Sequence, residues 1–377
     1  MKVLVIILIG LVQACAYQSG QVVTSPELKM ALSGELILGR PVAVNELPQQ
    51  ELLALTPGME RFATDAVKFA QNKSEKAEML HRALLSSGIY GGLGVRYSAF
   101  NTGTAKEVFE SAQANCLSYT LLYVALARHL GLNAQVNQVT IPPSWDMNEE
   151  KAFFLMRHVN AKIVIRRMSW SFIRDMSRVS DVGDVVVDLE MSRFRANYPQ
   201  QALDKQSVEA LFYNNRAMEL STHGDVENAF LYLRRALEAN KNQSFIWSNL
   251  GSIYRKKGHF AVAEAVYLHA LSMDTGDLTV LHNLAGLYTQ LGEKEKSTFY
   301  SKKVKNYRNE NPYYLYREAV KAKEKGEIEK AKKLITRAIK KETLDERLYL
   351  LAAKLSDIQG DSQQAVLLRK KAASLQL

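Results

Sequence analysis

Only two cysteines occur in the 377 residues, Cys15 and Cys116, so the chain can close at most one disulfide. A small disulfide-stapled scaffold, which needs several bridges, is therefore excluded. No grouping of His, Cys, Asp and Glu has metal-ligand spacing, and no glycine loop has the form of a phosphate cradle. No cofactor and no metal are expected. Beyond the first fifteen residues no apolar run approaches the roughly 20 needed to cross a bilayer. Wholesale disorder is not expected, since 47% of residues are hydrophobic and 23% charged. The length allows two domains.

The N-terminus is distinct. Lys2 supplies a minimal positive start, Val3 to Val12 is almost unbroken apolar sequence, and Ala14 offers a small residue for cleavage. A run of about ten residues is too short for a membrane span and reads as a secretory signal over residues 1–14. The stretch Leu11-Val12-Gln13-Ala14-Cys15 resembles a bacterial lipobox. That resemblance implies that Cys15 is lipidated and becomes the first mature residue. With Ala16 after it, it implies anchoring in the outer membrane, facing the periplasm. Cys116 is then the single remaining thiol, either an inert packed residue or a reactive group.

The net charge of +10 is uneven, because residues 300–377 hold 19 Lys and Arg against 10 Asp and Glu. A basic face often signals nucleic acid, but an exported protein rarely meets it, and none is expected as a partner. An anionic envelope surface or an acidic protein fits better. A simply solvated helix surface is the other reading.

Residues 15–57 mix polar residues, short apolar patches and Pro26, Pro41 and Pro48, and read as a tether with an irregular lead-in. Helical periodicity starts near Glu60 and recurs from Ala77 to Leu85, until Gly88, Gly91, Gly92 and Gly94 interrupt it. Thr104-Ala105 opens a short helix. Asn115 is a good N-cap for an apolar helix from Leu117 to Leu130, with Arg128 and His129 in its last turn and Gly131 after it. Strands are expected over Ala134 to Ile141, over His158 to Arg166 with Val159, Ala161, Ile163 and Ile165 at period two, and over Asp184 to Leu189. The composition of 58–205 is α+β with a largely antiparallel sheet.

From 206 to 377 the pattern is different. Gly224, Gly258, Gly292, Gly326 and Gly360 recur every 34 residues. Ala229, Ala263, Ser297, Ala331 and Ala365 keep the same register, as do Ala236, Ala270, Val304, Ala338 and Ala372. In the second unit Trp247, Leu250-Gly251, Tyr254, Gly258, Ala263, Tyr267 and Ala270 closely resemble the tetratricopeptide (TPR) pattern of paired helices. Five such repeats are expected, forming an all-α solenoid. The resemblance implies a groove for a protein or peptide partner.

The segments Thr104-Ala105-Lys106-Glu107-Val108-Phe109, Gln113-Ala114-Asn115-Cys116-Leu117-Ser118 and Ala125-Leu126-Ala127-Arg128-His129-Leu130-Gly131-Leu132 resemble the transglutaminase-like core, a papain-like thiol superfamily. The resemblance covers roughly 74–190. It implies a nucleophile at Cys116, a base at His158 and an orienting acid at Asp188, with Asp184 and Asp181 as competing acids. Elementary chemistry runs parallel. A cysteine in the first turn of a helix lies beside unpaired N–H groups, which together with a partner histidine favour the thiolate and suit an oxyanion. On its strand His158 faces away from Val159, Ala161 and Ile163, so its ring need not enter the sheet core. His129, thirteen residues after Cys116, falls well off the cysteine's face and reads as a helix-end histidine. Trp145 and Trp170 either wall a cleft or pack on the sheet. Two functions stay open. One is a cysteine acyl-transfer enzyme of peptidase or transglutaminase type with TPRs recruiting its partner. The other is a scaffold lipoprotein with an inactive thiol module.

Overall fold

The computed structural model describes residues 25–140, 157–165, 184–189 and 198–375. The segment expected to be a signal, Cys15, Trp145, Trp170, Asp181 and the end of the strand expected up to Arg166 lie outside the described residues.

The lead-in is more ordered than its composition suggested. Helix α1, Pro26–Ser33, starts with Pro26 at its first position and is capped by Ser25 Oγ, which accepts from the Leu28 amide at 3.2 Å. A short α2, Glu35–Leu38, follows across Gly34, whose φ of +93° suits glycine. The apolar patches that looked scattered in sequence, Leu28, Ala31, Ile37, Val42 and Leu47, are all buried. Helical spacing on so short a segment is weak, so the helix is decided by what it packs on. Tyr254 Oη donates to Ala31 O at 2.9 Å, and a His259 ring nitrogen lies 3.1 Å from Leu36 O.

Helix α3, Pro57–Ala66, is capped by Thr56, and α4, Lys73–Leu85, by Asn72. A two-residue strand β1, Arg96–Tyr97, pairs in parallel with β2, Gln113–Ala114. Between them α5, Ala105–Ser111, carries a capping box in which Thr104 and Glu107 satisfy each other's backbone amides. Helix α6, Cys116–His129, begins directly after β2. Every residue from Leu117 to Ala127 is buried, the condition of a helix that is apolar on all sides. Gly131, with φ of +74°, ends it as expected.

A four-stranded antiparallel sheet follows, in the order β5-β4-β3-β6, from β3, Ala134–Thr140, β4, Arg157–Ile163, β5, Val185–Val187, and β6, Gln200–Ala202. Val159, Ala161 and Ile163 join the same apolar cluster as α6. His158 and Asn160 alternate to the other face. The His158 ring is buried on that face, away from the apolar cluster, and Asn137 and Asn160 are buried with it.

Five helix pairs complete the chain as an all-α array. They are α7, Lys205–Thr222, with α8, Val226–Ala239; α9, Ser244–Lys256, with α10, Phe260–Met273; α11, Leu278–Gln290, with α12, Lys294–Glu310; α13, Pro312–Glu324, with α14, Ile328–Lys341; and α15, Glu346–Ile358, with α16, Ser362–Ala373. The glycines of the 34-residue period sit in the turn of each pair with φ between +75° and +86°. There a side chain would be strained, which explains the period. Gly251 has a second reason: a Cβ there would lie 2.7 Å from the Tyr267 ring. One apolar core runs from Leu28 to Tyr288, uniting the lead-in, the α+β region and the first three repeats. A separate one, from Leu315 to Leu355, serves the last two. Helix α12 buries only Val304 and marks the division.

Candidate active site

Cys116 is the first residue of α6, half-buried, and a free thiol. Its position is set by the cap. Asn115 Oδ1 accepts from the Ser118 amide at 2.9 Å, and the Tyr119 amide reaches Asn115 O at 3.0 Å. The remaining N–H groups of that turn belong to Cys116 and Leu117, and they point out of the helix end next to the sulfur.

The sheet supplies the other two groups. In the β4–β5 register Ala161 faces Val187. One step on, Asp188 comes opposite Asn160 and diagonal to His158, on the face that carries the imidazole. His158 Nε2 and Asp188 Oδ2 are directly hydrogen-bonded, and both side chains are buried. Asn160 Nδ2 also reaches Asp188 Oδ2, at 3.4 Å, and its Oδ1 accepts from Asn137 Nδ2 at 2.8 Å. The thiol, the imidazole and the carboxylate offer one atom each within 4.8 Å of one another. With Nε2 committed to Asp188, Nδ1 is the nitrogen left for the sulfur.

The histidine's charge state follows. Burial works against an imidazolium, but the hydrogen bonds to Asp188 and Cys116, reinforced by their charges, outweigh it and raise the His158 pKa to about 9. At neutral pH the ring holds both protons, one towards the carboxylate and one towards the sulfur. The same three side chains could in principle hold a cation. The direct hydrogen bond between His158 and Asp188 leaves no room for an ion between those two atoms. Their arrangement suits proton sharing better.

Of the competing acids, Asp184 is exposed, pairs with Lys162 at 2.9 Å and accepts from the Ile165 amide at 3.3 Å. It is a strand-end ion pair. His129 ends α6 with Nδ1 3.9 Å from Glu60 Oε1, as expected of a helix-end histidine. Two residues near the site were not anticipated. Tyr119 Oη lies 2.6 Å from His81 Nδ1 on α4. Burial above all, with the neighbouring Tyr123 phenol and Asp188 carboxylate adding to it, holds the Tyr119 pKa far above 10; burial chiefly lowers that of His81. Tyr119 therefore keeps its proton and donates to a neutral His81. A histidine on an amphipathic helix carries no sequence signal for such a contact.

The Transglutaminase-like superfamily model matches residues 60–172, and Tetratricopeptide repeat models match 210–243 and 246–279. The chain carries a transglutaminase-like core followed by TPR repeats. The matched core includes Cys116 and His158; Asp188 lies beyond it and joins the site by geometry alone. No curated protein matches the chain. Among solved structures, it is similar to MamA 41-end from Desulfovibrio magneticus RS-1, at 14% identity over 45% of this chain and 95% of that one, with a TM-score of 0.26. It is also similar to PilF of Pseudomonas aeruginosa, at 16% identity over 45% of this chain and 78% of that one, with a TM-score of 0.27. YrrB, described as a TPR protein with an unusual peptide-binding site, gives 16% identity over 44% of this chain and 86% of that one, with a TM-score of 0.25.

Proposed function

We propose that this is an envelope lipoprotein in which a transglutaminase-like thiol domain cleaves or exchanges an amide bond, while the TPR array holds a protein or peptide partner. The convergence of Cys116, His158 and Asp188 within 4.8 Å carries the reading. A thiolate at Cys116 attacks the amide carbonyl, and the oxyanion forms beside the Cys116 and Leu117 amides. The imidazolium of His158 gives its proton to the leaving amine as the C–N bond breaks, leaving a thioester. The now neutral imidazole then takes a proton from water or a second amine, which attacks the thioester and frees the thiol. Asp188 holds the ring orientation and stabilises its charged form.

For the partner, a cavity of about 330 Å³ is lined by Ser252, Arg255, Lys256, Tyr267 and Gln290 of the second and third repeats. Arg255 donates from Nε to Gln290 Oε1 at 3.0 Å, and a Cβ on Gly286 would come within 2.9 Å of its Nη1. Two cations and several polar groups favour an acidic segment of a peptide.

The deciding measurement is iodoacetamide alkylation of Cys116 against pH. An ion-paired thiolate gives a rate that stays high well below about pH 8. A profile rising with a midpoint near the free-thiol value of about 8.5 rejects the enzyme and leaves a scaffold whose thiol is packing. The membrane anchor is tested separately. Cys15→Ser should abolish incorporation of radiolabelled palmitate and move the protein from the membrane to the soluble fraction. Unchanged fractionation, with no label in the wild type, removes the anchor.

A further inference from the structure

One carboxylate of the repeat array reaches into the thiol domain. Glu219 lies on α7, and at 34-residue steps its position is taken by Ile253, Leu287, Lys321 and Leu355. Ile253, Leu287 and Leu355 are buried in the array. The first repeat has no repeat before it, and at this core-type position it carries a charge whose side chain is only 12% exposed. Such a group is tolerated when its hydrogen bonds are made. Glu219 Oε1 accepts from the Thr102 amide at 2.8 Å and from the Thr102 hydroxyl at 2.6 Å, while Oε2 lies 3.8 Å from Arg216 Nη1.

The chain of bonds continues to the cysteine. Thr102 Oγ1 accepts from Asn115 Nδ2 at 2.7 Å, and Asn115 Oδ1 accepts from both the amide and the hydroxyl of Ser118 at 2.9 Å. Ser118 Oγ accepts in turn from the Gly103 amide at 2.9 Å. Thr102, Asn115 and Ser118 are all buried. The directions are forced. A carboxylate can only accept, so the single hydroxyl hydrogen of Thr102 points at Glu219. The Thr102 oxygen must then receive the Asn115 NH₂, which turns Oδ1 towards the helix end. The opposite amide orientation would set NH₂ against the Ser118 N–H.

We propose that Glu219 is a positioning residue for Cys116: through Thr102 it fixes the side-chain orientation of Asn115, and so the cap of the helix turn that carries the thiol. The consequence for reactivity rests on the reading of Cys116 as an activated thiol; the cap itself does not. It also gives the repeats a role beyond partner binding, because the site is completed by their first helix.

The test uses the full chain with Glu219→Ala, Glu219→Gln and Thr102→Val, read by hydrogen exchange and by Cys116 alkylation. Glu219→Ala and Thr102→Val should raise exchange about tenfold or more in peptides spanning 101–104 and 116–120, with α9 to α12 unchanged, and should slow alkylation at pH 7 severalfold. Glu219→Gln keeps an acceptor oxygen for Thr102 and should restore both readouts to near wild type. The proposal is overturned if exchange at 116–120 is unaltered in Glu219→Ala, or if it rises equally throughout the chain. If the wild-type thiol alkylates like a free cysteine, the enzymatic reading fails, and the exchange data still decide whether Glu219 orders the cap.

Discussion

Replacing His158 by alanine is expected to slow alkylation of Cys116 at pH 6.5 by tenfold or more, an order-of-magnitude figure set by thiol chemistry. Without the imidazolium the sulfur loses the charge that lies within 4.8 Å of it. A free thiol with a pKa near 8.5 is only about 1% thiolate at that pH. The loss is less than a hundredfold because a more basic thiolate is also a better nucleophile. His129→Ala is the control, since that ring faces Glu60 and should leave the rate alone. Asp188→Asn should fall between, because the imidazole stays while its carboxylate is lost. Breaking a buried pair on one side also costs roughly 3–5 kcal/mol, so this variant should unfold earlier as well. Equal rates in wild type and His158→Ala would dissolve the pairing.

With the thiol removed by Cys116→Ala, so that His158 is the one group of the pair that exchanges a proton, raising the pH from 6.5 to 9 should weaken the fold. The folded His158 pKa of about 9 lies above the ordinary value of 6.5, so the native state binds the proton more tightly than the unfolded chain. That stabilisation is complete below pH 6.5 and is lost as the pH rises through 9. The difference corresponds to at most about 3 kcal/mol, at 1.36 kcal/mol for each unit, with Asp188 the foremost of the groups that raise it. The denaturant midpoint for loss of α6 amide protection should therefore drop across this window in Cys116→Ala and stay nearly level when His158→Gln is added to it. A Cys116→Ala midpoint that is flat from pH 6.5 to 9 would contradict the charged ring.

The sequence was most legible where local chemistry and tertiary packing agree. Asn115 and Gly131 bracket the cysteine helix because a cap and a left-handed turn are local demands, and α6 spans Cys116–His129. The glycine period located all five helix pairs for the same reason. Asp188 was harder. Asp184 sits at the other end of the same short strand, and only the register with β4 puts one beside His158 and the other beside Lys162. The lead-in helix was missed because its apolar residues gain their partners from repeats more than two hundred residues away. Glu219 did leave a trace, as a charge in a register position otherwise held largely by Ile and Leu. Its meaning depends on Thr102, which no spacing rule connects to it.

The contact of α1 with the second repeat also has a kinetic side. Tyr254 and Ala31 are 223 residues apart, as are His259 and Leu36. During synthesis the first helix of the lead-in emerges long before the residues that cover it, and closing so large a loop is slow compared with forming a helix pair from neighbours. The repeats can therefore assemble pair by pair, whereas the N-terminal segment must wait for α9 and α10. Until then Leu28, Ala31 and Ile37 present an uncovered apolar edge. This order keeps the N-terminal end from completing its fold until the middle of the protein has been made.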